Sequence, residues 1–309
     1  MNPGETSDVV IIGAGPAGLA AGVYTGRARL TTVILEKLIP GGQTLMTNWI
    51  ENYPGFPEGI APFELVENFR KQAERFGAVI ESEEATGLRP DSGNWVVSGR
   101  DREFRTRSVI IATGGAYRKL GVPNEERLAG RGVSYCATCD GAFFRDEIVA
   151  VVGGGDNALT EAIFLTKFAR KLYLIHRRDR FRAIRILQER VFANPKIEVL
   201  WDSVVESAEG ESRLEKAAIR NLRENRSYEL PLDGLFVSIG LDPHSGIVRG
   251  LVDLNEWGEI KVKAGMATSQ KGIFAAGDVA DACPKQVAVA VGAGVTAALS
   301  VTAYLETLG

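Results

Sequence analysis

The stretch DVVIIGAGPAGLAAGVYTGRARLTTVILEK, Asp8 to Lys37, decides the fold. A β-branched apolar run turns at glycines, passes into an Ala-rich helical pattern and ends in a second apolar strand, which is a βαβ unit. Gly13, Gly15 and Gly18 are spaced as GxGxxG. In that spacing the first glycine allows a tight turn, the second lets the backbone approach a pyrophosphate, and the third lets helix and strand pack closely. The pyrophosphate rests on the free N–H groups of the helix N-terminus. A lone glycine motif is weak evidence. Here it follows a strand, precedes a helix and has an acid, Glu36, at the end of the next strand.

Working outward, EIVAVVGGGDNALTEAIFLTKFARKLYLIHRR, Glu147 to Arg178, repeats the pattern with Gly153, Gly155 and Ala158 in the three places. Aligning Gly13 with Gly153 sets Glu36 opposite His176, which Arg177 and Arg178 follow. A carboxylate there accepts hydrogen bonds from ribose hydroxyls and repels a 2′-phosphate, whereas guanidinium groups grip that phosphate. The first site therefore suits a dinucleotide with a bare ribose, such as FAD or NAD, and the second suits NADP(H). The bland alternative for HRRDRFR is a solvated basic surface, which charge runs usually are.

The remaining strands point to interleaving. SVIIATGG (Ser108–Gly115) and LDGLFVSIGLDP (Leu232–Pro243) each read as a buried strand closing a unit, and GIFAAGDVAD (Gly272–Asp281) is another buried strand with an acid at its tip. That last strand has no core of its own. Residues 247–309 are thus expected to fold back onto residues 1–116, with residues 117–246 inserted and with paired hinges near Gly115–Arg118 and Gly240–Ser245. The fold class is α/β, with two Rossmann-like, three-layer ββα nucleotide-binding domains, the first of them discontinuous.

A chain of 309 residues can hold two domains, and 45% hydrophobic with 24% charged residues is ordinary globular composition. The net charge of −3 favours neither a nucleic-acid nor a membrane partner. No apolar run is expected to reach the ~18–20 residues of a bilayer span. MNPGETSDVVIIGAG has no basic leader region, and three cysteines make no disulfide framework, so a reducing, cytoplasmic location is expected.

Two of those cysteines, Cys136 and Cys139, stand in SYCATCDGAFF. Zinc normally needs four ligands. There is no second CxxC, and His176 and His244 show no ligand spacing, so no metal is expected. A staple across so short a loop removes little entropy from the unfolded chain. Asp140, immediately after Cys139, favours a redox dithiol, since a carboxylate there suits proton movement. The third cysteine, Cys283, reads as structural, and His244 as a surface residue.

CATCDG ahead of a second nucleotide fingerprint, with GAGPAG, GGQ, ENYPGFP, HRRDRFR and GIFAAGDV, closely resembles the low-molecular-weight, bacterial-type thioredoxin reductases over essentially the whole chain. The resemblance implies a homodimeric flavoenzyme with a split FAD domain and an inserted NADPH domain carrying the dithiol. It implies that Cys139 is the thiol next to the flavin, Cys136 the one that attacks the disulfide of thioredoxin, and Asp140 the acid/base. For FAD it implies Gly13, Gly15, Pro16, Ala17, Gly18 and Glu36 at the ADP half and Gly42, Gln43, Thr47 and Asn52 along the flavin side. Thr113, Gly114, Gly277 and Asp278 belong to the same site, with Asp278 on the ribityl chain, and Lys285, Gln286 and Val287 follow at a helix start. For NADPH it implies Gly153, Gly155, Asp156, Asn157, Ala158, His176, Arg177, Arg178 and Arg182.

The resemblance also implies that the inserted domain rotates, so that dithiol and nicotinamide can use one flavin face in turn. Three departures stand out: Asn157 and Thr160 where relatives often have Ser or Thr and an acid, and Lys285 where arginine is usual. They open the alternatives of another electron donor such as ferredoxin, or of a dithiol oxidase using oxygen. A flavin-bearing redox sensor without turnover is a third.

Overall fold

The computed structural model describes residues 6–47, 49–281 and 284–308. It divides into two compact units, one of residues 1–116 with 242–309 and one of residues 117–241. The Cys283 expectation lies outside the described residues.

In the first unit β1 (Thr6–Ile12), α1 (Pro16–Arg27) and β2 (Thr32–Glu36) form the first glycine unit. α2 (Pro62–Arg75), β3 (Val79–Ser82), β4 (Gly87–Asp91), β5 (Asn94–Ser98) and β6 (Glu103–Ile111) follow, and β7 (Gly115–Tyr117) leads out. The second unit contains β8 (Val133–Ser134), α3 (Ala137–Asp140), β9 (Ile148–Val152), α4 (Asp156–Leu165), β10 (Lys171–Ile175), α5 (Arg185–Ala193) and β11 (Ile197–Leu200). Three antiparallel strands, β12 (Ser203–Glu209), β13 (Lys216–Asn221) and β14 (Arg226–Pro231), precede β15 (Gly234–Val237). The chain returns through β16 (Leu241–Pro243) to β17 (Ile273–Ala275) and α6 (Val287–Glu306).

The first sheet runs β3-β2-β1-β6-β5-β4, and β17 pairs with β6. β1, β2, β3, β6 and β17 are parallel, whereas β4–β5–β6 is an antiparallel meander. β6 thus serves both layers: residues 103–106 pair with β5 and residues 109–111 with β17.

The second unit shows why its strands read as unbroken apolar runs. Its parallel sheet has the order β11-β10-β9-β15-β8. Alternate residues of a strand point to opposite faces. Val149 and Val151 join Ala158, Leu159, Ala162 and Leu165 of α4 in one core, and Ala150 and Val152 join Val205, Ala217, Ile219 and Leu230 of the antiparallel layer in another. A strand covered on both faces is apolar throughout. Each fully buried Leu or Ile contributes about 1.5–3 kcal/mol of transfer free energy. The result is the expected three-layer ββα arrangement, built once in each unit.

α6 corrects one expectation. Val287–Glu306 is 20 residues long and reaches a mean hydropathy of 1.7 in an 18-residue window, long and apolar enough by length and composition to cross a membrane. Within the unit it buries a stripe of Ala290, Ala293, Gly294, Ala297, Ala298, Val301 and Leu305. Five residues of the stripe are Ala or Gly, and α1 packs closely there: a Cβ on Gly294 would come within 2.1 Å of the Ala17 carbonyl oxygen. One face of the helix is thus buried inside the unit.

Candidate active site

In the first unit Gly13 has φ +107°, the left-handed turn that only glycine adopts freely. A Cβ on Gly18 would lie 1.9 Å from the Gly13 carbonyl oxygen, so helix and turn are in backbone contact. Gly15 caps α1, no side chain caps that terminus, and the space where its Cβ would stand is open to 4 Å. Pro16 at the first helical position has no N–H to leave unpaired. This is a cradle shaped for an anion.

Glu36 at the tip of β2 accepts the N–H groups of Ala14 (2.9 Å) and Leu38 (3.0 Å), so it also braces the turn. The Gly41 N–H donates to the Ala14 carbonyl at 2.9 Å, which sets Gly42 beside Gly15 and starts the 3-10 turn Gly42–Met46 carrying Gln43. Thr47 donates to the Trp49 carbonyl at 3.3 Å. Asn52 donates to Gln286 Oε1 at 3.1 Å, which brings the 52 loop to the N-cap of α6 just before Val287. A helix N-terminus at that spot favours negative charge. Thr113 donates to the His244 carbonyl at 2.7 Å and the His244 N–H donates to Gly114 at 2.9 Å, so exposed His244 ties the end of β6 to the returning segment. Gly277 (φ +78°) approaches Ala17. Burial raises the Asp278 carboxyl above its usual range, Lys285 draws it back, and Glu259 pushes it up.

In the second unit Gly155 caps α4, again with open space and no side-chain cap. A Cβ on Gly153 would meet the Ser238 carbonyl oxygen at 2.4 Å and the Ala158 Cβ at 2.5 Å, so the turn is pressed into the end of β15. Asn157 and Thr160 lie exposed on α4.

The segment after β10 folds back onto this turn. The Arg182 N–H donates to Gly154 (2.9 Å), and the Ile184 N–H to Asp156 Oδ1 (2.8 Å). His176 is only 7% exposed, and its ring occupies the space where a Gly154 Cβ would stand. Its Nε2 lies 3.0 Å from the Arg180 carbonyl, and burial lowers its pKa. His176 therefore backs the loop from beneath. Arg177, Arg178 and Arg182 are exposed, and among the described residues none of them makes an ion pair.

Cys136 and Cys139 form a disulfide, with Cys136 as the N-cap of α3 and the Cys139 and Asp140 N–H groups donating to its carbonyl at 3.2 and 3.1 Å. Ser134 at the end of β8 donates to Asp140 Oδ2 at 2.6 Å and accepts the Cys136 N–H at 3.1 Å. One hydroxyl thus fixes both the carboxyl and the first cysteine. Burial raises the Asp140 pKa and the Ser134 bond lowers it, which leaves a carboxyl that holds its proton to higher pH than an exposed one.

Glu161 is a buried acid of α4 that motif reasoning missed. Burial pushes its pKa up to about 7 against a pull from the Ser238 hydroxyl, and its Oε2 is buried with no hydrogen-bond partner. A signal existed: positions 158, 161, 162 and 165 share one helical face, and the other three are Ala, Ala and Leu. An acid in that stripe marks a buried charge.

The pyridine nucleotide-disulphide oxidoreductase family model matches residues 7–294. A thioredoxin reductase of Streptomyces coelicolor is 43% identical, covering 98% of this chain and 95% of the relative. A thioredoxin reductase of Bacillus subtilis is 43% identical over 100% of this chain and 98% of its own. The crystal structure of a Streptococcus pyogenes thioredoxin reductase superposes with a TM-score of 0.93 at 42% identity, covering 98% of this chain and 99% of that one.

Proposed function

The chain belongs to the pyridine nucleotide-disulphide oxidoreductase family and, within it, to the thioredoxin reductases; on that footing we propose that electrons pass from NADPH through FAD and the Cys136–Cys139 pair to a thioredoxin-like disulfide. The observation that carries this is a disulfide held beside a proton-retaining carboxyl, in a unit with its own nucleotide turn and three exposed guanidinium groups that make no ion pair among the described residues.

The residues fit both cofactors. Around FAD, the open Gly15 cradle would take the pyrophosphate, Glu36 the adenosine ribose, Asp278 the ribityl chain, and the N-terminus of α6 at Gln286 the pyrimidine edge. Around NADPH, Gly155 and the start of α4 would take the pyrophosphate, and Arg177, Arg178 and Arg182 the 2′-phosphate. When bound, the flavin supplies two-electron chemistry that accepts hydride and passes an electron pair to sulfur.

Reduction of the Cys136–Cys139 disulfide takes up two electrons and two protons, and the proposal gives Asp140 the task of delivering one of those protons. Cys136 then gives up its proton, and its thiolate attacks the disulfide of the partner and expels one partner sulfur, which takes up a proton. Cys139 gives up its proton in turn and its thiolate attacks Cys136 in that mixed disulfide, which re-forms the Cys136–Cys139 bond and expels the second partner sulfur, which is protonated, so that the two protons leave with the partner dithiol. The inserted unit is proposed to turn on its two connectors, residues 115–118 and 240–245, between the two halves of the cycle. A homodimer acting in the cytoplasm completes the proposal.

Anaerobic titration of the purified protein tests it. One equivalent of NADPH should bleach the flavin, and oxidised thioredoxin should restore the colour. Indifference to NADPH, with bleaching by reduced ferredoxin or by a small dithiol, would replace the donor. A colourless protein that takes up no flavin would end the proposal.

A further inference from the structure

An ion pair outside both nucleotide motifs holds the loop that carries Asp278. Lys285 Nζ donates to the carbonyl oxygens of Asp278 (2.9 Å) and Ala280 (3.1 Å) and lies 2.9 Å from Glu259 Oε1. An ammonium has three donors, and all three are used. The other oxygen of Glu259 accepts from Asn255 Nδ2 at 2.8 Å, and Asn255 Oδ1 accepts the N–H groups of Trp257 (3.0 Å) and Glu259 (2.9 Å). A chain of contacts therefore runs from the 255–259 turn to the backbone of residues 278–280.

Both charged side chains are largely covered, at 24% and 19% exposure. Charges taken this far from water lose hydration, which a loop on the surface would have no reason to bear. Removing Lys285 would leave two carbonyls without a donor and Glu259 without a partner. Removing Glu259 would leave the ammonium two acceptors for three donors.

We propose that Glu259 and Lys285 are a positioning pair for the flavin: Lys285 clamps the carbonyls of residues 278 and 280, Glu259 holds Lys285 in place, and Asp278 is thereby aimed at the ribityl chain. This rests on the FAD site proposed above. The electrostatics agree with the geometry. Burial alone favours a neutral Asp278, the Lys285 ammonium opposes this, and Glu259 offsets part of that pull. A Cβ on the neighbouring Gly277 would meet the Cβ atoms of Ala17 (2.9 Å) and Ala290 (3.8 Å), so apolar groups of α1 and α6 pack beside the loop.

Release of FAD from diluted holoenzyme, followed by the recovery of flavin fluorescence, tests the pair with four variants. Lys285→Met should release FAD at least about tenfold faster, the equivalent of one charge-assisted hydrogen bond. Glu259→Gln should release it faster than wild type but more slowly than Lys285→Met. Lys285→Arg, which keeps the charge and the donors, should stay near wild type and shows that the site tolerates substitution. The swap Glu259→Lys with Lys285→Glu decides the question, because a glutamate at 285 restores opposite charges but cannot donate to carbonyls; it should remain as fast as Lys285→Met. FAD binding by Lys285→Met should also fail at a higher pH than in wild type as pH is lowered, since Asp278 then protonates more readily.

Wild-type release rates in Lys285→Met, or full rescue by the swap, would overturn the proposal, the second by showing that an ion pair alone suffices. A wild-type protein that binds no FAD would instead remove the flavin site, and the role of this pair with it.

Discussion

Replacing Glu161 by Gln should make the protein more stable in alkaline than in acid solution relative to wild type. The Glu161 carboxyl is raised from 4.5 to about 7 by burial, opposed only by the Ser238 hydroxyl. Between those two values the folded protein holds a proton that the unfolded chain has released. Stability therefore falls as pH rises from 4.5 to about 7 and is level on either side. Two and a half units at about 1.36 kcal/mol each amount to roughly 3 kcal/mol. Gln keeps the shape and can still accept from Ser238, although its amide places a new donor beside the site, at a cost of about 1 kcal/mol at every pH.

The pH-dependent part is thus the diagnostic quantity. Urea unfolding of the holoenzyme at fixed protein and FAD concentration, followed by circular dichroism and tryptophan fluorescence, measures it at pH 5, 6, 7 and 8. The variant-minus-wild-type difference should rise by about 2–3 kcal/mol across that range, most steeply below pH 7. Parallel curves would show that Glu161 is ionised and solvated in the folded protein, and the burial argument would fail. A difference that falls with pH would mean that a cation stabilises the carboxylate.

Three further outcomes follow from the sites. Cys139→Ser should leave flavin bleaching by NADPH intact in stopped flow while abolishing reduction of thioredoxin; any remaining disulfide turnover would displace Cys139 from its role. Arg177→Ala with Arg178→Ala should raise KM for NADPH about tenfold or more and leave KM for NADH nearly unchanged, and an equal rise for both nucleotides would show that the cluster does not read the 2′-phosphate. Ser134→Ala removes the bond that lowers the Asp140 pKa, so the limb of the kcat/KM–pH profile governed by Asp140 should move to higher pH, and a downward shift would refute the assignment.

Much of the fold was legible because glycine spacing encodes backbone constraints directly. The requirement for φ > 0 at Gly13 and the contact between Gly18 and the Gly13 carbonyl leave no choice of residue, and the apolar runs around them take either of two buried faces. The dithiol and its neighbouring acid were legible because they are adjacent in sequence. What stayed hidden depends on side-chain direction or on contacts between distant segments. Register set His176 opposite Glu36, but register does not say that its ring turns under Gly154. Glu259 and Lys285 meet across a stretch that contains β17, and no spacing rule connects them. The apolar length of α6 is hard to see in the sequence because its small residues dilute its hydropathy, and those nearest Ala17 are small because of a helix that lies far away in the chain.

The pairing of β17 with β6, together with Gly294 pressed against Ala17, sets an order of events during synthesis. The turn that cradles the first nucleotide leaves the ribosome before the inserted unit, yet the strand and helix that lean on it emerge only after that unit. That unit has two cores of its own and needs nothing made later, so it can condense while the opening segment waits half-assembled. A released chain that ends near residue 245 should accordingly protect residues 117–241 from protease while residues 6–111 remain open to cleavage.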